Sequence, residues 1–368
     1  MALWKDQLIG QKKIWPKLAQ VIQNHRFPHF SLICGRPGNG QLVLALSLAQ
    51  SLLCKSDNAP CGSCEACYKS AGLIHPDLHF SFPLIGSDSI CTDHYNFWRN
   101  AIKSNPFLNL NQWLSHVDHK NKQANISAKE CRSIIERLYF KPFESDRNVL
   151  ILWLPELLGK ESNILLKILE EPPGHSYIIM VTEDMNNILA TVKSRAQQFS
   201  METLEMEDLA QKIQEVTGKT YDEAFQSTIS SEGNFSEALQ LSLSGELQGL
   251  ELIKRLFQKA YLRDGLQMLE WTEEFSLLSR DAQKQFLAFF TKILSLILNE
   301  QSGISDTEQH TNSILEYVLK ISKTLQLDQV KKINDFIDEL HLGVSRNANV
   351  RILMLNFIIK ISAILHNR

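Results

Sequence analysis

Two hydrophobic rhythms divide the chain. Up to about residue 200, short apolar runs alternate with stretches of helical period. Ser31-Leu32-Ile33-Cys34 precedes the helical Val43-Leu44-Ala45-Leu46-Ser47-Leu48-Ala49, Asn148-Val149-Leu150-Ile151-Leu152 forms a second run, and Tyr177-Ile178-Ile179-Met180-Val181 follows a helix ending at Pro172. Such βα alternation predicts a parallel sheet covered on both faces by helices. Between about Pro83 and Asn125 the pattern is replaced by aromatics and amides, with Phe97-Trp98, Phe107-Leu108 and Trp113-Leu114, and this stretch is expected to form a peripheral helical hairpin. From Leu204 to about Leu243, short amphipathic helices divided by Gly218 and by Glu232-Gly233-Asn234 fit a small lid domain. Beyond Gly245 the periodic pattern continues, and Phe286 to Leu298 and Val350 to Leu365 are apolar on nearly every side, as helices buried in a bundle are. The expected domains are therefore an α/β domain over 1–200, a helical lid over 201–243 and an all-α domain over 244–368.

The loop between the first apolar run and the first helix carries candidate chemistry. Gly35-Arg36-Pro37-Gly38-Asn39-Gly40-Gln41-Leu42 has the strand, glycine loop and helix of a phosphate-binding P-loop, but Gln41 and Leu42 stand where Lys and Ser or Thr do the work. The lysine brings charge to the β- and γ-phosphates and the hydroxyl holds Mg²⁺, so both main parts of ATP hydrolysis are replaced. Taken alone, a Gly-Pro-Gly cluster is also an ordinary turn.

Directly after that helix, Cys54, Cys61, Cys64 and Cys67 form a Cys-x6-Cys-x2-Cys-x2-Cys run. Four thiolates satisfy tetrahedral Zn²⁺, and a site closed by four sulfurs leaves no position for water, so the metal is expected to be structural. An iron–sulfur cluster is the competing reading of closely spaced cysteines; the position inside a P-loop domain favours zinc. Cys34, Cys91 and Cys131 are scattered and read as small buried hydrophobes. His75, in His75-Pro76-Asp77, reads as a loop residue, four sulfurs being already at hand.

Composition narrows the choice further. With 368 residues the chain is expected to hold two or three domains, and its 44% hydrophobic and 21% charged content is that of globular protein. A net charge of −3 gives no basic surplus for a dedicated nucleic-acid-binding domain. The start, Met1-Ala2-Leu3-Trp4-Lys5-Asp6, shows no secretory signal, and Arg351, Asn356 and Lys360 interrupt the late apolar segment, so a cytoplasmic protein with reduced thiols is expected.

These features together resemble the clamp-loader branch of the AAA+ ATPases, and within it the delta-prime subunits of bacterial DNA polymerase III. Leu8-Ile9-Gly10-Gln11, Phe27-Pro28-His29, the loop from Gly35 to Gln41, the four-cysteine insertion, His75-Pro76-Asp77, Ile126-Ser127 to Lys141-Pro142-Phe143, Leu165-Leu166-Lys167-Ile168-Leu169-Glu170-Glu171-Pro172-Pro173 and Lys193-Ser194-Arg195 fall in that family's order. The resemblance covers residues 1 to about 240; beyond that only length and helical character agree. It implies that 83–125 is a family-variable insertion. It also implies that the last helices form a collar joining five subunits in a ring.

Departures from the family pattern bear on activity. The resemblance places the acidic pair that ends the second nucleotide strand at Trp153 and Leu154, and the lid arginine that touches nucleotide at Ser236. Glu156 lies nearby but reads as a solvated charge at a helix start. Four nucleotide contacts are thus lost, and no bound ATP and no intrinsic ATPase are expected. Arg195, by contrast, stands where the family's Ser-Arg-Cys segment points an arginine finger into a neighbour's ATP site, although the cysteine is here Ala196. The resemblance therefore implies a non-catalytic clamp-loader subunit, working with delta and gamma or tau subunits to load the sliding clamp on primed DNA. The parent holoenzyme's activity would be that of a DNA-directed DNA polymerase. Two alternatives stay open: a gamma- or tau-like ATPase with divergent motifs, in which Arg36 is the only basic residue inside the loop, and a zinc-containing DNA-binding adaptor. Against the adaptor, the cysteine run sets Lys55 and Lys69 against Asp57 and Glu65, with no surplus to neutralise phosphates.

Overall fold

The computed structural model describes residues 3–11, 13–86, 88–117, 124–231, 233–244, 249–303, 313–346 and 348–366. The chain divides into two compact units, Met1–Asp208 with Gly233–Ser236, and Leu209–Glu232 with Glu237–Arg368.

The first unit is built on a five-stranded parallel sheet. Its strands are β1 (Phe30–Cys34), β2 (Leu78–Ser81), β5 (Asn148–Trp153), β6 (Ser176–Thr182) and β7 (Gln197–Ser200), in the order β2-β5-β6-β1-β7. The short β3 (Leu84–Ile85) and β4 (Ala124–Asn125) form a separate antiparallel pair. A central parallel strand has no wet face, so it must be apolar throughout; all six residues of β5 are buried. Val149, Ile151 and Trp153 enter one core, and Leu150 and Leu152 the other, as the two-residue period requires.

Helix α1 (Ile14–Gln23) and helix α2 (Gln41–Leu53) cover the first face. Every residue of α2 is buried, which explains its near-continuous apolar sequence. Helix α3 (Glu65–Ala71) carries the end of the cysteine run. Helices α6 (Ala128–Tyr139) and α7 (Ser162–Glu170) cover the second face through Ile134, Leu138, Leu165 and Ile168. The short α8 (Ala190–Lys193) leads to the edge strand β7.

The segment expected as a peripheral hairpin does contain two helices, α4 (Tyr95–Ser104) and α5 (Leu110–Val117), but it is not peripheral. Trp98 and Trp113 are fully buried, the Trp98 and Phe82 rings stack at 4.3 Å, and Trp98 lies 5.4 Å from the Trp153 ring. The Trp113 indole donates to the Pro83 carbonyl at 2.7 Å, which satisfies its one polar atom inside the core. The aromatic richness of this stretch is core material, packed on Phe80, Phe82 and Trp153. Residues 118–123 of the expected insertion lie outside the described residues.

The second unit is helical. It comprises α9 (Met206–Thr217, from residue 209), α10 (Tyr221–Ser230), α11 (Phe235–Ser244, from residue 237), α12 (Gly249–Leu262), α13 (Gly265–Ser276), α14 (Arg280–Gln301), α15 (Ser313–Ser322), α16 (Leu327–Ser345) and α17 (Val350–His366). Phe286, Phe290, Ile293 and Ile297 of α14 and Met354, Phe357, Ile358 and Ile361 of α17 are buried. Among the described residues no helix is long and apolar enough to cross a membrane.

Candidate functional site

The glycine loop joins the end of β1 to α2, with Gly38 and Gly40 in the left-handed region that lets the backbone turn tightly (φ +78° and +87°). Gln41 does not reach outward as a P-loop lysine would. Its amide folds back and donates to the Arg36 carbonyl at 2.8 Å, and the residue is buried together with Leu42. Asn39 donates to the Glu202 carbonyl at 3.1 Å, fixing the crest of the loop. Trp153 closes β5 and Leu154 follows in the left-handed region, both within the core. Ser236 is buried, its hydroxyl accepting from the Asn105 amide at 3.0 Å and donating to the Gln112 amide oxygen at 2.9 Å. The cavity between the loop and Trp153 measures about 10 Å³.

Glu156 is not the solvated charge expected from sequence. It is half-buried at the end of the sheet, accepting from the Thr182 hydroxyl at 2.9 Å and the Glu183 amide at 3.1 Å. Burial raises its pKa; burial and the Glu156 charge together push Glu183 up to about 7. The signal missed was local: a carboxylate just past a strand end also faces the end of the next parallel strand.

Arg195 lies between α8 and β7, on the exposed edge of the sheet. Its guanidinium pairs with Glu170 at the end of α7 and donates to the Thr191 carbonyl at 2.7 Å. The pair is solvent-accessible, so it holds the side chain only weakly.

The four cysteines converge. Cys54 ends α2, Cys64 caps the N-terminus of α3 and Cys67 lies one turn into it, while Cys61 comes from the intervening loop. Sulfur separations are 3.6 Å for Cys54–Cys61, 3.8 Å for Cys54–Cys64 and 4.0 Å for Cys61–Cys67, and all four lie within 4.8 Å of one another. Tetrahedral Zn–S bonds of about 2.3 Å require sulfurs roughly 3.8 Å apart, so the set fits a zinc ion. Backbone and hydroxyl donors of Ser63 lower the Cys61 thiol to about 6, whereas burial raises Cys54 and Cys67. His75 is outside this group, buried, with Nδ1 accepting from the Asp77 amide at 3.2 Å.

The sequence profile of the family described as DNA polymerase III, delta subunit, matches residues 10–205. The chain belongs to this family. Among curated relatives, the DNA polymerase III subunit delta' of Bacillus subtilis is 23% identical over 354 residues, covering 93% of this chain and 94% of that one. The subunit gamma of Buchnera aphidicola is 26% identical over 250 residues, 65% of this chain and 58% of that one. Of solved structures, a gamma subunit-related protein of Thermotoga maritima aligns over 95% of this chain and all of that one, at 14% identity and a TM-score of 0.37. The chain is thus a member of the clamp-loader family of DNA polymerase III subunits, built on a parallel α/β domain whose first strand and helix are joined by a glycine loop, followed by helices.

Within this family framework, two residues explain motifs that sequence alone left without a role. The buried Asp77 carboxylate accepts from the amides of Phe143, Glu144 and Ser145 at 2.6, 2.9 and 2.7 Å, so the His-Pro-Asp and Lys-Pro-Phe segments are halves of one device. Glu144 then pairs with Lys69 of α3, bracing the cysteine module. Phe107 lines the cavity beside the glycine loop, and only folding brings it there.

Proposed function

We propose that the chain is a non-catalytic subunit of the replicative clamp loader, without ATPase activity of its own, that supplies Arg195 to the ATP site of a neighbouring subunit. One observation carries the reading: the positions that would serve phosphate, metal and water hold Gln41, Leu42, Trp153, Leu154 and Ser236, all turned into packing, while Arg195 stands accessible at the sheet edge. Moving the guanidinium from Glu170 to a phosphate costs little, because an exposed ion pair contributes about 0–1 kcal/mol. In this reading the partners are delta and gamma or tau subunits in a hetero-pentamer, acting in the cytoplasm on the sliding clamp and primed DNA as part of DNA polymerase III. Residues 201–243 act as the lid and 244–368 as the collar. Cys54, Cys61, Cys64 and Cys67 hold a structural Zn²⁺, which would tie the end of α2 to α3 and carry no chemistry.

The test compares ATP hydrolysis by the purified chain with hydrolysis by the assembled complex containing either the natural chain or Arg195→Ala. The chain alone should be inert. The substituted complex should assemble normally and lose about tenfold or more of its turnover at the adjoining site, since a finger supplied in trans stabilises charge on the γ-phosphate. Unchanged turnover removes the finger assignment, and hydrolysis by the isolated chain favours a gamma-like ATPase.

A further inference from the structure

The P-loop region is occupied by protein. Gly40 caps the N-terminus of α2, the point at which a P-loop gathers backbone amides around phosphate. A Cβ placed on Gly40 would lie 2.9 Å from the Phe107 ring, and one on Gly38 would lie 2.1 Å from the Asn234 amide oxygen. Phe107 and Phe235 are both buried with ring centroids 4.5 Å apart. Asn105 fixes the approach of this segment, its amide oxygen accepting from the Phe107 backbone at 3.0 Å and its nitrogen donating to Ser236. Ser236 is thus the anchor at both ends of the segment, since Gln112 accepts from its hydroxyl. Gln112 and Asn109 also exchange backbone-to-side-chain hydrogen bonds at 2.9 Å, which start α5.

We propose that the former nucleotide pocket is a binding site for the chain's own segment Asn105–Gln112, with Phe107 as its permanent occupant. The chain then excludes nucleotide instead of merely failing to hydrolyse it. This rests on the non-catalytic reading above and extends it from turnover to binding. The remaining cavity of about 10 Å³ is on the scale of one water, whereas small-molecule sites run to roughly 300 Å³ or more. The Glu183 carboxylate lines the same space and would face any entering phosphate. The departures from an active site form one set: Ser236, in the position of a nucleotide-binding arginine, binds the plug, and Trp153, in the position of an acidic residue, packs on the Trp98 that precedes it. The glycine loop consequently keeps one shape whatever nucleotide the neighbouring subunits hold.

The experiment titrates the full chain with mant-ADP, with and without Mg²⁺, and follows amide hydrogen exchange of residues 38–42 and 234–236 in the natural chain, Phe107→Ala and Ser236→Ala. The natural chain should show no saturable mant-ADP binding into the millimolar range. Exchange in both segments should rise about tenfold in Phe107→Ala and about threefold in the milder Ser236→Ala, because local opening replaces a packed contact. Saturable binding by the natural chain, or unchanged exchange in a folded variant, overturns the proposal. Should Phe107→Ala not fold, Ser236→Ala and the titration decide. Binding without hydrolysis would defeat the plug and leave the non-catalytic reading standing; unchanged complex turnover in Arg195→Ala would remove the finger assignment and leave the plug untouched.

Discussion

The four-cysteine module and the glycine loop sit at opposite ends of one helix, α2, and differ in how their side chains are arranged. At its C-terminal end, four residues spread over fourteen positions bring their sulfurs to the spacing a metal needs. At its N-terminal end, a glycine loop holds Gly38 and Gly40 in left-handed conformations, and the Gln41 and Leu42 side chains that follow are folded inward. Glycine conformation and strand–helix geometry serve packing whether or not the side chains of the loop carry chemistry. The cysteine site has no such second use, because without an ion four converging thiols hold little together.

The sharpest way to break this contrast is Cys64→Ser. Structural zinc modules draw roughly 10–16 kcal/mol from metal binding. Bound zinc should therefore fall from about one ion per chain to none, with a drop of about 10 °C or more in the melting temperature of the first unit. Elemental analysis and calorimetry measure both, and an iron–sulfur absorbance in the natural protein would replace zinc by the competing cluster.

A smaller effect is expected from Asp77→Ala, which leaves the amides of residues 143–145 without their carboxylate and frees Glu144 from its brace on α3. Losing hydrogen bonds to a charged acceptor should cost about 3 kcal/mol in urea unfolding while the zinc content stays unchanged. Loss of the ion as well would mean that the module depends on the sheet far more than its own sulfur geometry indicates.

The smallest effect tests the glycine-loop side through pH. Glu183 has its pKa raised from the ordinary 4.5 to about 7, mainly by burial. The folded state therefore holds this proton more tightly than the unfolded state. Stability is lost as pH rises from about 4.5 to about 7, and the penalty is complete above that. Glu183→Gln should stabilise the protein by about 1–2 kcal/mol at pH 8, after discounting for partial exposure, and leave it unchanged at pH 4. Equal effects at both pH values would show that the carboxylate is not held in a desolvated place.

Much of the first unit was legible because its signals are local. The runs at 31–34, 148–152 and 177–181 became β1, β5 and β6, since a strand buried on both faces has to be apolar along its whole length. The cysteine spacing by itself points to a common ligand, because two-residue gaps constrain where neighbouring sulfurs go. The 83–125 stretch was harder to read. Its tryptophans pack on each other 15 positions apart, on Phe80 and Phe82, and on Trp153, which is 55 positions from Trp98, so no short-range period marks them. Glu156 was misread for the same reason, its partners Thr182 and Glu183 coming from the neighbouring strand.

The sequence by itself determined the parallel α/β class, the helical character of the second half, a glycine loop followed by Gln41 and Leu42, and a cysteine set suited to one metal. These follow from residue identity and from spacings of a few positions, which covalent geometry turns into structure with little freedom. Only the tertiary structure decided that Asp77 holds the 143–145 loop, that Glu170 restrains Arg195, and that Phe107 fills the space beside Gly40. Those contacts join residues 25 to 68 positions apart. No local preference encodes such a meeting; it is fixed by the sheet order and by the need to fill the core without voids.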